Sequence, residues 1–164
     1  LILLDGWSKT YAMTGWRIGY AIWPKALVDD AIRLAVNCHS CVNTAAQYAG
    51  IAALEGPQDG VDEMVATFDE RRRVIVSGLN KLPGIDCRTP IGAFYVFPNI
   101  TGTGLDSREI QNRFLEEAGV ATVSGTSFGA LGEGYLRLSF ANGVENIQTA
   151  LDRFAVLLNR EHVE

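Results

Sequence analysis

Apolar residues change their spacing along this chain, and each change marks an element. The opening run "LILL" is continuous and bounded by Asp5-Gly6, which predicts a short buried strand. A loop carrying Lys9 follows, and "WRIGYAIW" predicts a second strand. Pro24 suits the first residue of a helix in which Leu27, Ala31, Leu34 and Ala35 recur at helical spacing to about Asn37. The polar stretch "NCHSCVN" breaks that period. Thr44 and Gln47 have the spacing of a capping box, so a helix is expected over 45–55, stopped by Gly56-Pro57. The longest stripe is Val61, Met64, Val65, Phe68, Ile75, Leu79 and Leu82, ended by Pro83-Gly84. Arg72 interrupts it, with a stem that can cover apolar surface.

After residue 84 the texture turns to short strands: "IDCR", "AFYVFP", "VATV" and "YLRLSF". Asp106 with Glu109 reads as a cap for a helix reaching Ala118, which Gly119 ends. Asn142 with Glu145 reads as a cap for a last helix, with Ile147, Leu151, Phe154 and Leu158 facing inward. "NITGTGL" and the glycine-rich "SGTSFGALGEG" are loops. No repeat or low-complexity tract occurs. The natural boundary lies near residue 60. Residues 61–164 have enough strands and helices for an α/β unit with its own core, in which "AFYVFP", "VATV" and "YLRLSF" share one sheet.

A length of 164 residues suits one domain, or one domain and part of another. A net charge of −5 argues against nucleic acid and against an anionic membrane surface as partners. Arg71, Arg72 and Arg73 follow Asp69 and Glu70, which predicts an ion-paired helix face. No apolar run is long enough to span a membrane, and "LILLDG" is too short for a signal peptide and has no basic leader. Three sparse cysteines fit a reducing cytoplasm better than a disulfide framework.

The most patterned segment is "DGWSKTYAMTGWRIGYA". A lysine amine that loses its proton can attack a carbonyl, and a fixed arginine is a charged fork suited to phosphate. Gly15 and Gly19 flank Arg17 and remove bulk where a ligand or a second backbone comes close. Such a pair is what an aldehyde-bearing phosphorylated cofactor needs, pyridoxal phosphate above all. Taken alone, a lysine and an arginine eight residues apart are ordinary solvated side chains. The alternation of "YLRLSF" puts Leu136, Leu138 and Phe140 on one face and Tyr135, Arg137 and Ser139 on the other, so Arg137 is expected to point into a polar space.

The string "SKTYAMTGWRIGYA" closely resembles the lysine-attachment segment of class I/II aminotransferases, pyridoxal-phosphate enzymes of fold type I. "ALEGP", "GAFYVFP", "FLEEAGVATVSGTSFG" and "GYLRLSFA" follow in the order that family has them. The resemblance implies an α/β chain: residues 1–60 as the C-terminal remnant of the large pyridoxal-phosphate domain, and residues 61–164 as the long connecting helix and the small domain, a small sheet packed by helices. It implies pyridoxal 5'-phosphate as cofactor, with Lys9 as the catalytic Schiff-base lysine and Arg17 on the phosphate. Arg137 would grip the substrate carboxylate. The implied activity is aspartate-aminotransferase-like transfer of an amino group between an amino acid and a 2-keto acid, in a cytoplasmic homodimer.

A lyase of the same fold type, and a non-catalytic small-domain module, are the alternative readings. One departure is Gly6, where several relatives have a phosphate-binding serine; Ser8 is the nearby hydroxyl. The family's other cofactor contacts precede the lysine, so the chain is expected to be a C-terminal piece that does not transaminate by itself. The apolar faces before residue 60 are expected to be exposed and self-associating. "CHSC" lacks a second ligand pair for zinc, Cys87 being isolated and His162 near the tail; it reads either as a helix connection with buried thiols or, as the resemblance implies, as a linker near the active site of the neighbouring subunit. "SGTSFG" lacks the lysine and the helix start of a nucleotide loop; the resemblance implies a loop near the substrate opening. Trp16 and Tyr20 read as packing residues.

Overall fold

The computed structural model describes residues 1–161; His162 lies outside the described residues. The chain is α/β and divides into two compact units, Leu1–Glu63 and Met64–Glu164.

In the first unit, β1 (Leu3–Gly6) pairs antiparallel with β2 (Gly19–Ile22), with Leu3 opposite Ile22 and Gly6 opposite Gly19. The opening strand is therefore present but exposed, because a two-stranded sheet has too little surface to bury it. The second strand is shorter than its apolar run. A 3-10 turn, Thr14–Trp16, takes up the first part of "WRIGYAIW", and Arg17 is left-handed at φ 52°. Helix α1 (Val28–His39) begins after a 3-10 turn at Lys25–Leu27. None of its residues is buried. Its stripe of Ala31, Leu34 and Ala35 lines an open cleft of about 750 Å³ with Tyr20 and Trp23 instead of a closed core.

Helix α2 (Thr44–Glu55) is capped by Asn43, whose Oδ1 accepts from Ala46 N at 3.1 Å. The Thr44–Gln47 capping box does not form, since the Gln47 amide donates to Val42 O instead. The unit's small core is Met13, Ile18 and Ala46, with Trp7, Tyr11, Ala49 and Ala53 against it.

Helix α3 (Asp59–Leu79) contains the unit boundary and ends a turn before Pro83. Val65, expected on its apolar side, is exposed. In the second unit β3 (Tyr95–Val96), β5 (Leu136–Ser139) and β4 (Val123–Ser124) form one antiparallel sheet in that order. Helix α4 (Ser107–Glu116) is capped by Asp106, which accepts from Arg108 N and Glu109 N. Helix α5 (Val144–Glu161) buries Ile147, Leu151, Phe154 and Leu158, as its stripe predicts. Asn142 at its start accepts from Gly143 N and from the Asn146 amide. Phe114 and Phe154 stack with centroids 3.8 Å apart. A fully buried side chain of this size contributes roughly 1.5–3 kcal/mol, so the two rings are major supports of this core.

Two expected strands are curtailed for local reasons. In "IDCR" just one isolated bridge forms, Asp86 to Asn99, because the Cys87 backbone is claimed by a side chain. Asn80 Oδ1 accepts from Cys87 N and its amide donates to Cys87 O. In "VATV" the left-handed Gly119 (φ 65°) lets Val120 N–H reach back to Phe114 O, so pairing starts at Val123. Two residues of the arginine triplet pair as expected, while Arg71 lies over the Phe68 ring, 5.4 Å from its centroid. Arg72 and Arg73 both pair with Asp69, and Arg72 also donates to Pro90 O at 2.8 Å.

Gly78 on α3 faces α5 so closely that a Cβ there would overlap the Leu151 side chain, with Cγ 3.1 Å away. Alanine would gain up to about 1 kcal/mol of helix propensity, against an overpacking cost of roughly 1–3 kcal/mol. The steric cost is expected to win. Urea unfolding of Gly78→Ala should show a lower midpoint than the parent, whereas a higher one would mean that Leu151 moves freely.

Candidate functional site

Lys9 lies in a turn built on Trp7. Trp7 O accepts from Tyr11 N and Met13 N, and Ala12 N donates to Lys9 O at 3.2 Å. The Trp7 indole donates to Gly50 O at 3.0 Å, which ties this turn to α2. Gly50 makes room for that approach. A Cβ there would stand 3.2 Å from the Trp7 ring and from Ile18 Cδ1. Tyr11 adds a bond from its hydroxyl to Gln58 Oε1 at 3.3 Å. Lys9 itself is exposed.

Arg17 directly follows the 3-10 turn and lies before β2, which corrects the expectation from "WRIGYAIW" that it sits on a strand. It is exposed, and its Nη1 donates to Thr14 O at 2.9 Å. Ala12 (φ 53°) and Arg17 (φ 52°) are both left-handed, a conformation that costs a non-glycine residue about 1–3 kcal/mol and concentrates where function needs it. Ala12, Gly15, Arg17 and Asn43 line a cleft of about 600 Å³. A Cβ on Gly15 would meet nothing within 4 Å, so open space lies beside the arginine. Gly19, by contrast, is needed by the backbone, since its Cβ would stand 3.0 Å from Asp5 O. At Gly6 a Cβ would stand 3.1 Å from Ile18 O, a tight contact that a small shift of the backbone relieves. A charged fork beside open space and small side chains fits the phosphate of pyridoxal phosphate. Trp16 is half exposed, and Tyr20 packs edge-on against Trp7 at 5.3 Å.

Arg137 belongs to the second unit. It lies on the β5 face opposite the buried Leu136, Leu138 and Phe140, as alternation predicts. Its surroundings differ from the expected polar space. The guanidinium carbon is 4.5 Å from the Tyr95 ring centroid and 4.7 Å from that of Phe128. Phe97 stacks on Tyr135 at 5.3 Å and meets Phe128 edge-on at 6.2 Å, completing an aromatic platform. Rings over a guanidinium attract it by roughly 0.5–2 kcal/mol each and fix its plane. A planar carboxylate can then be met bidentately at the edge. Tyr95 and Phe128 did not stand out in the sequence. The signal for Tyr95 was the register: it pairs with Ser139 and so shares the Arg137 face.

The loop "SGTSFGALGEG" is closed by its glycines. A Cβ on Gly125 would overlap the Gly132 carbonyl oxygen, and Gly125 N donates to Tyr135 O at 2.8 Å. At its far foot the Glu133 carboxylate accepts from Ser107 N, Ser107 Oγ and Gly134 N. Those bonds, Ser107 N first, hold its pKa below the ordinary carboxylate value.

The cysteines correct another expectation. Cys38 and Cys41 are exposed, not buried, because α1 has no cover in its unit. Among the described residues no group of three His, Cys, Asp or Glu could hold a metal ion, and no helix is long and apolar enough to cross a membrane. Cys87 is buried, and desolvation followed by the neighbouring Asp86 pushes its thiol up from 9.0 to about 11. Native protein treated with iodoacetamide near neutral pH should therefore label at Cys38 and Cys41, and at Cys87 after unfolding, as read by mass spectrometry. The raised value also sets a pH dependence. The Cys87 contribution to stability is complete below pH 9 and is lost as pH rises through about 11, because the unfolded thiol ionises first. Cys87→Ala should flatten that alkaline decline.

Comparison with known proteins adds the family. The profile of aminotransferase class I and II matches residues 1–154. The chain is 41% identical over 162 residues to an aspartate aminotransferase of Pyrococcus horikoshii, covering 98% of this chain and 41% of that protein. It is also 41% identical over 160 residues to a (5-formylfuran-3-yl)methyl phosphate transaminase of Methanocaldococcus jannaschii, covering 97% of this chain and 42% of the relative. The crystal structure of an aromatic aminotransferase from Pyrococcus horikoshii superposes with a TM-score of 0.95 at 37% identity, over 99% of this chain and 44% of that one. The chain thus spans about two fifths of the length of these relatives.

Proposed function

We propose, from the premise that this chain belongs to the class I and II aminotransferases, that the protein transfers an amino group between an amino acid and a 2-keto acid. The observation that carries this reading is the match over residues 1–154; Lys9, Arg17 and Arg137 lie in segments of that range that resemble the family's motifs. Relatives named for aspartate and for aromatic amino acids both resemble the chain, so the donor is to be found by assay. The first unit is read as part of the cofactor-holding domain and the second as the small domain. A cytoplasmic homodimer completes the reading.

Pyridoxal 5'-phosphate, when bound, supplies an electron sink for bonds at the substrate Cα. Lys9 Nζ is the amine that attaches it. With the group bound, the same Nζ would be the base that takes the proton from the substrate Cα and carries it away from that carbon. Its place on a turn braced by Trp7 and α2 keeps that amine on a fixed backbone. Arg17 holds the phosphate by charge and by its N–H edge. Arg137 receives the substrate carboxylate, with the Tyr95 and Phe128 rings beside its guanidinium at 4.5 and 4.7 Å.

The test is a donor-by-acceptor screen of the full-length protein, reading keto-acid-dependent amino transfer against release of ammonia. Lys9→Ala is expected to abolish transfer while the protein stays folded. Arg137→Ala is expected to lower kcat/KM for amino acids by the equivalent of about 2–5 kcal/mol, the size of truncating one partner of a buried charge pair. Release of ammonia without transfer would replace the transaminase reading with a lyase. Unchanged kinetics in the Arg137 variant would remove it from the site.

A further inference from the structure

Ser107 and Ser124 are the buried polar residues of the described chain, each fully buried. Both belong to one hydrogen-bonded chain behind the loop that carries Phe128. Ser107 Oγ lies 2.8 Å from Ser124 Oγ and 2.8 Å from Glu133 Oε2, and Ser124 Oγ lies 2.7 Å from Thr126 Oγ1. Ser107 N donates to Glu133 Oε1 at 2.8 Å, and Ser124 N donates to Gln111 Oε1 at 2.7 Å. Ser124 and Thr126 stand at one foot of the loop and Glu133 at the other, so the Ser107 hydroxyl links both feet.

Charge gives this chain a direction. An ionised carboxylate accepts and never donates, so Ser107 gives its single hydroxyl hydrogen to Glu133. It must then accept from Ser124, which accepts from Thr126. All three hydroxyls are ordered by one charge, and the loop feet cannot shift without leaving a buried hydroxyl unpaired. Between the feet, Gly129 N–H to Thr126 O and Gly132 N–H to Gly129 O fold the tip back on itself. Phe128, at that tip, lies over Arg137.

We propose that Ser107, acting through Ser124 and Glu133, is a positioning residue of the carboxylate-binding face: it holds the 125–132 loop so that Phe128 fixes the plane of the Arg137 guanidinium. The proposal rests on the reading of Arg137 as the carboxylate-binding residue. A single Ser107→Ala leaves a buried hydroxyl unpaired and is confounded by instability. The paired replacement Ser107→Ala with Ser124→Ala removes both partners, a change that is close to neutral for folding. It deletes the hydroxyl chain that runs from Thr126 to Glu133 and leaves the backbone Ser107 N–H to Glu133 Oε1 bond in place, so it tests the hydroxyls alone.

The experiment compares amino-acid KM and kcat in the full-length protein for this double variant, Phe128→Ala, their combination and Glu133→Gln, with thermal melts alongside. The double variant is expected to melt near the parent and to raise KM about tenfold at nearly constant kcat, equivalent to about 1.4 kcal/mol. Phe128→Ala should raise KM comparably, and the combination should add little, because both act on one contact. Glu133→Gln should keep a KM near the parent's. Its Oε1 still accepts both N–H groups, and its Nε2 donates to Ser107 and reverses the hydroxyl chain. An unchanged KM in the double variant, or additive effects with Phe128→Ala, overturns the proposal. Arg137→Ala separates the two failures: if it raises KM while the loop variants do not, the carboxylate reading stands and the positioning role falls.

Discussion

The middle strand of a three-stranded sheet decides where the chemistry of the second unit can be. Strand β5 pairs with β3 on one side and β4 on the other, so its register is held twice. Its alternation sends Leu136, Leu138 and Phe140 into the core and leaves Arg137 on the opposite face. A one-residue slip would exchange the two sets, burying a guanidinium and exposing a leucine pair. Burying an unpaired charge costs several kcal/mol, so packing and the placement of Arg137 are one constraint and not two. The Tyr95–Ser139 pairing then brings an aromatic ring onto the same face.

The loop before β5 follows from that placement. A strand this short cannot hold a long arginine side chain in one plane by itself. The aromatic ring on the outer side comes from a closed loop, and closure needs glycine at Gly125 and Gly132, where backbones nearly touch. Glycines make such a loop sterically possible but also loosen it. The compensating rigidity comes from a carboxylate and buried hydroxyls, which are directional where apolar packing is not. Glu133 also covers the first N–H of α4, while Asp106 covers the next two. One carboxylate therefore serves a helix end and a loop foot together, and the α4 N-terminus favours its charge.

Residues in regular elements were legible in proportion to how strongly a period constrained them. The stripe of α5 and the faces of β5 are visible in the sequence because burial enforces them. Strand ends were not. Asn80 takes the Cys87 backbone out of "IDCR", and Gly119 turns the chain away in "VATV", by bonds that no periodicity carries. The cap of α2 was misassigned for a similar reason, whereas Asp106 caps α4 as expected. Asn43 and Thr44 are adjacent and both are good caps, and the choice between them is made by backbone geometry. The Arg137 environment was read as polar because a charged residue implied it, whereas guanidinium faces accept rings. Ser107, Ser124 and Glu133 lie 9 to 26 residues apart, and no local pattern links them.

The first unit shows the opposite balance. Its apolar periods are real, yet α1 buries none of its residues and Ile32, Leu34, Tyr48 and Leu54 remain exposed. A two-stranded sheet and a core of Met13, Ile18 and Ala46 cannot cover them. Against that thin support, the Lys9–Arg17 segment keeps two left-handed non-glycine residues, Ala12 and Arg17. Their cost of about 1–3 kcal/mol each must be offset nearby. The candidates are few: the Trp7 indole on Gly50 O, the ring against Gly50 and Ile18, and the burial of Met13. Pairing between β1 and β2 stops at Gly6 and Gly19, outside the strained stretch. The geometry of the Lys9 turn is therefore transmitted from α2 through Trp7. A bulkier residue at position 50 would push that ring first, and the backbone that presents Lys9 and Arg17 would move with it.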